Sequence, residues 1–228
     1  MDIFNQKLTD NNGILEPEGL MPGEYDKHVL QYDKLVSNKL YNQIVWGNTP
    51  ADYKDFAKKA LESTGETALD IACGPLTFTK EVYAQTTKQL ILTDLSEQVL
   101  TIARERIEQI NPQQKNIIYL RADALNLPIT DSSIDTVMNF GFLHLTDNPL
   151  PLLNEIARIL KNGGKAYFTT LCSDRPIAAV TMAVLKLMGH IARPRKAAKT
   201  LKFFDSSHLK IDYYMRKGGM LYIVASRK

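Results

Sequence analysis

Short apolar runs recur along this chain at near-regular intervals, separated by stretches whose apolar residues fall three and four apart. The apolar runs near 67–72, 89–94, 117–122, 134–140 and 165–171 predict buried strands, and the segments 77–87, 96–110 and 149–161 predict helices. Strands that alternate with helices make a parallel sheet covered on both faces. Two further strands, about 209–215 and 219–225, flank Lys217-Gly218-Gly219, a hairpin signal. Upstream, Tyr25 to about Leu61 reads as two helices separated near Trp46-Gly47-Asn48-Thr49-Pro50, with Thr49 capping the second and Pro50 starting it. Residues 1–24 carry Asn-Asn-Gly, Glu-Pro-Glu-Gly and Met-Pro-Gly, which predicts a turn-rich, flexible arm.

This divides the chain into an arm, 1–24, and a single domain, 25–228. Within the domain we expect a helical cap at 25–62, a core at 63–172, a second cap or substrate segment at 173–208 and a closing hairpin at 209–228. At 228 residues, 44% of them hydrophobic and 23% charged, there is material for one full core. No run reaches the ~18 apolar residues of a membrane span; the nearest, Ile177 to Met188, is broken by Lys186. The opening Met-Asp-Ile-Phe-Asn-Gln-Lys lacks the build of a signal peptide, so a cytoplasmic location is expected. Cys73 and Cys172 lack metal-ligand spacing, and no metal is expected.

Charge changes the picture more than composition does. Residues 161–228 hold 14 Lys and Arg against 3 Asp, while residues 1–160 hold 14 against 22 acids. Much of the positive charge lies in 186–202, directly after the apolar stretch from Ile177. Two readings stand: a cap helix whose basic end meets an acidic group or, peripherally, a membrane surface, and a packed helix followed by a solvated basic loop.

The candidate chemistry centres on Ala-Leu-Asp-Ile-Ala-Cys-Gly-Pro-Leu (68–76) and Leu-Ile-Leu-Thr-Asp (90–94). A strand, a tight turn, a helix and a second strand ending in a carboxylate is how parallel α/β proteins hold a nucleoside, the acid taking the ribose hydroxyls. A dinucleotide would need G-x-G-x-x-G to bring its pyrophosphate against bare backbone. Here Gly74 is followed by Pro75, Leu76, Thr77, Phe78 and Thr79, and Pro75 removes an N–H. The turn suits a nucleoside without phosphates, which disfavours a nicotinamide-dependent oxidoreductase.

The turn resembles motif I of the class I S-adenosylmethionine-dependent methyltransferases, [DE]-x-G-x-G-x-G, with Asp70 as its acid, Ala72 at the first glycine and Gly74 at the central one. Leu76 stands at the third glycine, a departure expected to crowd the methionine side of the cofactor or tilt the next helix. Asp94-Leu95-Ser96 resembles the second motif, in which the acid takes the ribose diol and the next residue packs on adenine. Ile118 to Ala124 resembles the third, with Asp123 for the adenine amino group and the Ala124 N–H for a ring nitrogen. Leu127-Pro128, Asp131 to Val137, Asn139-Phe140-Gly141-Phe142-Leu143-His144-Leu145 and Ala157 to Lys165 are similar to the family's run through strand four to strand five. Tyr32-Asp33, Tyr41 and Trp46-Gly47 resemble the "YD…Y…WG" lead-in of its quinone- and lipid-modifying branch.

The resemblance implies a Rossmann-like, doubly wound, seven-stranded and mostly parallel sheet with a C-terminal antiparallel hairpin. It implies S-adenosylmethionine as cofactor and a small, apolar or lipid-like methyl acceptor. The implied cofactor residues are Asp70, Ala72, Gly74, Asp94, Leu95, Asp123, Ala124, Asn139 and Phe140. Tyr25, Tyr32, Tyr41 and Trp46 are implied for the substrate, or else form an aromatic helix face packed on the domain. His144 is the candidate general base, with packing or substrate contact as the alternative; Cys73 reads as a small motif residue and Asp135 as a turn organiser. Nucleic acid is disfavoured, since Asn139-Phe140-Gly141-Phe142 lacks the prolines of the amino-methylating enzymes. A non-catalytic nucleoside- or partner-binding module and an RNA or protein methyltransferase remain as alternatives.

Overall fold

The computed structural model describes residues 3–20 and 37–228. Its nine strands are β1 Leu8–Asn11, β2 Ile14–Pro17, β3 Thr67–Ile71, β4 Gln89–Asp94, β5 Ile117–Arg121, β6 Ile134–Phe140, β7 Leu160–Leu171, β8 Leu209–Lys217 and β9 Met220–Arg227. They form one sheet in the order β1-β2-β5-β4-β3-β6-β7-β9-β8. From β2 to β7 all pairings are parallel; β1 with β2, β7 with β9 and β8 with β9 are antiparallel. The seven strands expected from the sequence are all present, closing hairpin included.

The helices are α1 Pro50–Leu61, α2 Lys80–Tyr83, α3 Glu97–Ile110, α4 Leu150–Ile159, α5 Pro176–Leu187 and α6 Ala197–Asp205. Just before α1, Lys39–Tyr41 forms a short helical turn that widens into a π-helical turn, Asn42–Trp46. α1 starts as its sequence predicts: Pro50 takes the first helical position, and Asp52 Oδ2 accepts from the Thr49 N–H at 2.7 Å. Ser96 caps α3 by accepting from the Val99 N–H at 3.1 Å. Both sheet faces are buried, one cluster holding Leu92, Met138, Tyr167 and Tyr222 and the other Leu69, Ile91, Val137 and Phe168.

Two expectations need correction. Residues 8–17 are not an arm but a hairpin added in parallel to the edge strand β5, with Ile14 opposite Tyr119 and Leu15 opposite Leu120. Asn12 and Gly13, at φ +53° and +82°, supply the two left-handed residues that a tight hairpin turn requires. The flanking strands have four residues each, too short to show a clear alternation. The helix expected over 77–87 reduces to α2, because Leu76 at φ +58° and the bend through Thr77–Thr79 delay its start.

Asp135 braces the amino-terminal edge of the sheet across to Thr67 and Lys161, rather than the turn from Asp131. Its Oδ2 accepts from the Thr67 N–H, the Thr67 hydroxyl and Lys161 Nζ at 3.1, 2.7 and 2.9 Å. These donors outweigh its partial desolvation and hold the carboxyl at about 2. This network fixes where β3 begins, and therefore where its carboxyl end delivers the turn at 72–76.

Candidate functional site

The turn after β3 runs through three left-handed residues: Ala72, Gly74 and Leu76 have φ of +54°, +60° and +58°. These are the three glycine positions of the motif, and two carry side chains that resist this conformation by ~1–2 kcal/mol each. The backbone geometry has therefore been kept where the glycines have not. Around Gly74 there is room: a Cβ built there would meet nothing within 4 Å. Leu76 is buried in the cluster that includes Tyr83, Leu92, Leu100 and Ala103. Its side chain is thus buried in the core and not exposed over the turn.

Three carboxylates stand at the ends of the three neighbouring strands β3, β4 and β5. Asp94 receives the Gly74 N–H on Oδ2 and the Ser96 N–H on Oδ1, both at 3.1 Å, which ties the end of β4 to the turn. Asp70 is buried; Oδ2 accepts from the Tyr83 hydroxyl at 2.7 Å, and Oδ1 has no hydrogen-bond partner among the described residues. Burial raises its pKa to about 7, opposed by the Tyr83 hydroxyl and reinforced by Asp94. Asp123 is exposed beyond β5, its Oδ1 accepting from the Leu125 N–H at 2.9 Å. Leu95 presents a partly exposed apolar side chain beside Asp94, while Ala124 packs partly into the core. The Cys73 thiol is pushed well up by loss of hydration and by Asp94 and Asp70, which leaves it inert as a nucleophile.

On the other side of the turn, Asn139 is buried and donates through Nδ2 to the Ile71 carbonyl at 2.9 Å, bracing the end of β3; its Oδ1 has no partner among the described residues. Phe140 is half-buried against Phe56. His144 is buried beside Thr170 and Leu171, with Nδ1 3.4 Å from the Leu171 nitrogen and Nε2 unpartnered among the described residues. Desolvation, assisted by Arg195, lowers it to about 3, so the imidazole is neutral over the working pH range and has little affinity for a proton.

Of the four aromatic residues implied for the substrate, Tyr25 and Tyr32 lie outside the described residues. Tyr41 meets Trp46 edge-to-face at 6.4 Å. Trp46 is buried, and its carbonyl accepts the Gly219 N–H at 2.6 Å. Gly218 admits no side chain here, since a Cβ would stand 2.0 Å from that carbonyl. Trp46 thus packs against the tip of the closing hairpin.

Several groups at this edge gave no sequence signal. Asn48 and the Tyr222 hydroxyl lie beside each other in the core, yet neither finds a well-formed hydrogen bond among the described residues; the Thr169 hydroxyl is likewise unpartnered. Tyr53, stacked on Phe78 at 4.9 Å, and Phe56, edge-on to Tyr222 at 5.1 Å, complete an aromatic wall around them. Buried polar atoms without partners are costly and point to a ligand or water that would satisfy them. Only the register of β7 against β9, which places Thr169 opposite Tyr222, reveals the grouping.

A family model described as a methyltransferase domain matches residues 69–168, the stretch that contains the turn, all three carboxylates and His144. Over this segment the chain is similar to a methyltransferase domain. The chain is 34% identical over 131 residues to a demethylmenaquinone methyltransferase of Lactobacillus johnsonii, covering 56% of this chain and 53% of that protein. It is 36% identical over 120 residues to a 2-phytyl-1,4-naphtoquinone methyltransferase of Nostoc punctiforme, covering 50% of each. The chain thus spans about half the length of these curated relatives. Among solved structures it shares its fold with geranyl diphosphate C-methyltransferase from Streptomyces coelicolor, with a TM-score of 0.63 at 14% identity over 84% of each chain. The matched segment runs from β3 to β7; the β1–β2 hairpin, the 39–48 segment and the elements from α5 onward lie outside it.

Proposed function

We propose that this chain binds S-adenosylmethionine and transfers its methyl group to a small apolar acceptor of the quinone or prenyl kind. The observation behind this reading is the turn at 72–76: three left-handed residues, open space over Gly74, and Asp94 and Asp70 on either side. The residues fit the cofactor. Asp94 would take the ribose hydroxyls, Leu95 one face of the adenine, Asp123 and the Ala124 N–H its polar edge, and the unpartnered Oδ1 of Asp70 the cationic methionine end.

When bound, S-adenosylmethionine supplies a methyl group already activated by its sulfonium centre. What remains for the protein is to align the acceptor and exclude water. Phe140, Phe56 and Tyr53 supply apolar walls, while Asn48 and Tyr222 offer unused hydrogen-bonding atoms for an acceptor oxygen. His144, neutral and deeply placed, is a weak proton acceptor, so alignment carries most of the catalysis. The apolar acceptor is supported by these walls and by the quinone substrates in the relatives' names.

Calorimetric titration with S-adenosylmethionine and S-adenosylhomocysteine tests the reading. We expect micromolar binding by the wild type and a loss of ~3 kcal/mol, roughly 100-fold or more, in Asp94→Ala. Absence of binding by the folded wild type, or equal binding by the variant, would overturn it.

A further inference from the structure

We propose that the outer face of the cap is a docking surface for an anionic lipid membrane. α5 and the 39–46 segment touch each other, and both sit over the carboxyl edge of the sheet. There Ala178 lies 3.1 Å from where a Gly219 Cβ would stand, and the Trp46 carbonyl holds the Gly219 N–H. The inner face of α5 is Ala178, Met182 and the partly buried Leu185. Its outer face is no more polar. Ile177, Val180, Val184, Leu187 and Met188 are 41%, 66%, 49%, 88% and 61% exposed. At 3.6 residues per turn these five lie within about 100° of arc. Leu40 and Ile44, one turn apart on the neighbouring segment, are 64% and 52% exposed. Single exposed apolar residues need no explanation, but seven on two contacting segments form a patch that a soluble surface would rarely leave bare.

The charge around the patch selects its occupant. From Pro176 to Lys202 there is no Asp or Glu, but there are Lys186, Arg193, Arg195, Lys196, Lys199 and Lys202, and Lys39 lies beside Leu40. Arg195 is spent on the Leu143 and Asp147 carbonyls. The others form no ion pair among the described residues. Arg193 and Lys199 border a cavity of about 260 Å³ with Asp147 and Phe203, large enough to admit a phosphate group. The Ala192 N–H donates to the His144 carbonyl at 3.1 Å, so this basic stretch also lies at the carboxyl edge. Exposed apolar side chains at the same sheet edge as cations that form no ion pair, with Asp147 the one acid lining the cavity, suit the boundary between acyl chains and anionic headgroups rather than the covered face of a protein dimer. The inference deepens the apolar-acceptor reading, because a docked cap would open the site towards the phase in which such an acceptor dissolves.

Co-sedimentation of the whole chain with vesicles tests it without any acceptor or cofactor. We expect binding to phosphatidylcholine vesicles containing phosphatidylglycerol and much weaker binding to pure phosphatidylcholine. Val184→Glu/Leu187→Glu, both on exposed positions, should weaken partitioning at least tenfold, and Lys196→Glu/Lys199→Glu should abolish the preference for the anionic lipid. S-adenosylmethionine affinity measured on the same variants should be unchanged, so failure of the cofactor reading and failure of docking remain distinguishable. No binding to either vesicle, binding indifferent to the glutamates, or a dimer whose formation buries Leu187 would overturn the proposal.

Discussion

The two sides of the carboxyl edge are built in opposite ways. On the β3–β4–β5 side, polar groups are organised largely by backbone: Asp94 is fixed by the Gly74 and Ser96 amides, and Asp123 by the Leu125 amide. On the β6–β7–β9 side, the polar atoms of Asn48, Thr169 and Tyr222 are buried among aromatic rings and unsatisfied among the described residues. A site made by main-chain geometry can be kept through changes of side chain, as Ala72 and Leu76 show. A site made by side chains from distant segments can change its ligand without changing the fold. Under the proposed function the first side would hold the cofactor and the second the acceptor.

Leu76→Gly tests whether the turn tolerates its leucine for a structural reason. Relief of the left-handed strain is worth ~1–2 kcal/mol, and loss of the buried side chain costs ~2–5 kcal/mol. The variant should therefore melt several degrees lower while binding S-adenosylmethionine within threefold of the wild type. Tightening by more than tenfold would return the side chain to the ligand's path.

Asp70 should make cofactor affinity depend on pH. Its ligand-free pKa of about 7 lies above the unfolded value of 3.8, so the folded chain takes up a proton as pH falls through 7. Folding gains stability as pH drops from 7 towards 4, whereas the cationic ligand loses its carboxylate over the same range. Between pH 8 and pH 6 affinity should fall ~tenfold. In Asp70→Asn that slope should vanish and binding stay weak, while at pH 8 the melting temperature rises by ~2–4 °C for each kcal/mol of relieved desolvation. A wild-type affinity flat from pH 6 to 8 would place the ammonium elsewhere.

The smallest effect on the cofactor is expected at Tyr222→Phe, which removes a buried hydroxyl without a well-formed hydrogen bond among the described residues. Stability should hold or rise, by up to ~1–3 kcal/mol, as that desolvation cost is relieved, and cofactor affinity should not move. Only turnover of an acceptor should suffer. A large fall in melting temperature would mean that the hydroxyl has a structural partner.

The same division explains what could be read from the sequence. Motif spacing located Asp70, Gly74, Asp94 and the alternation of strands and helices, because turn geometry and burial act through neighbours in the chain. The hairpin at 8–17 was missed because four-residue strands show their apolar face only against β5. Asn48 and Tyr222 were missed because they come from segments more than 170 residues apart, joined only through the register of β7 and β9 and the docking of Trp46. Tyr83 lay within an expected helix, but its bond to Asp70 joins that helix to the end of β3, a contact that spacing along the chain does not signal.

The β1–β2 hairpin also has a consequence in time. Its partner, β5, lies about a hundred residues further along the chain. At a synthesis rate of ~5–20 residues per second, Ile14 and Leu15 would wait roughly 5–20 s on the ribosome before the strand that covers them emerges. During that interval the hairpin offers an unpaired edge to any neighbouring chain. Its four-residue strands keep that edge short, which limits the hazard while the rest of the sheet is being made.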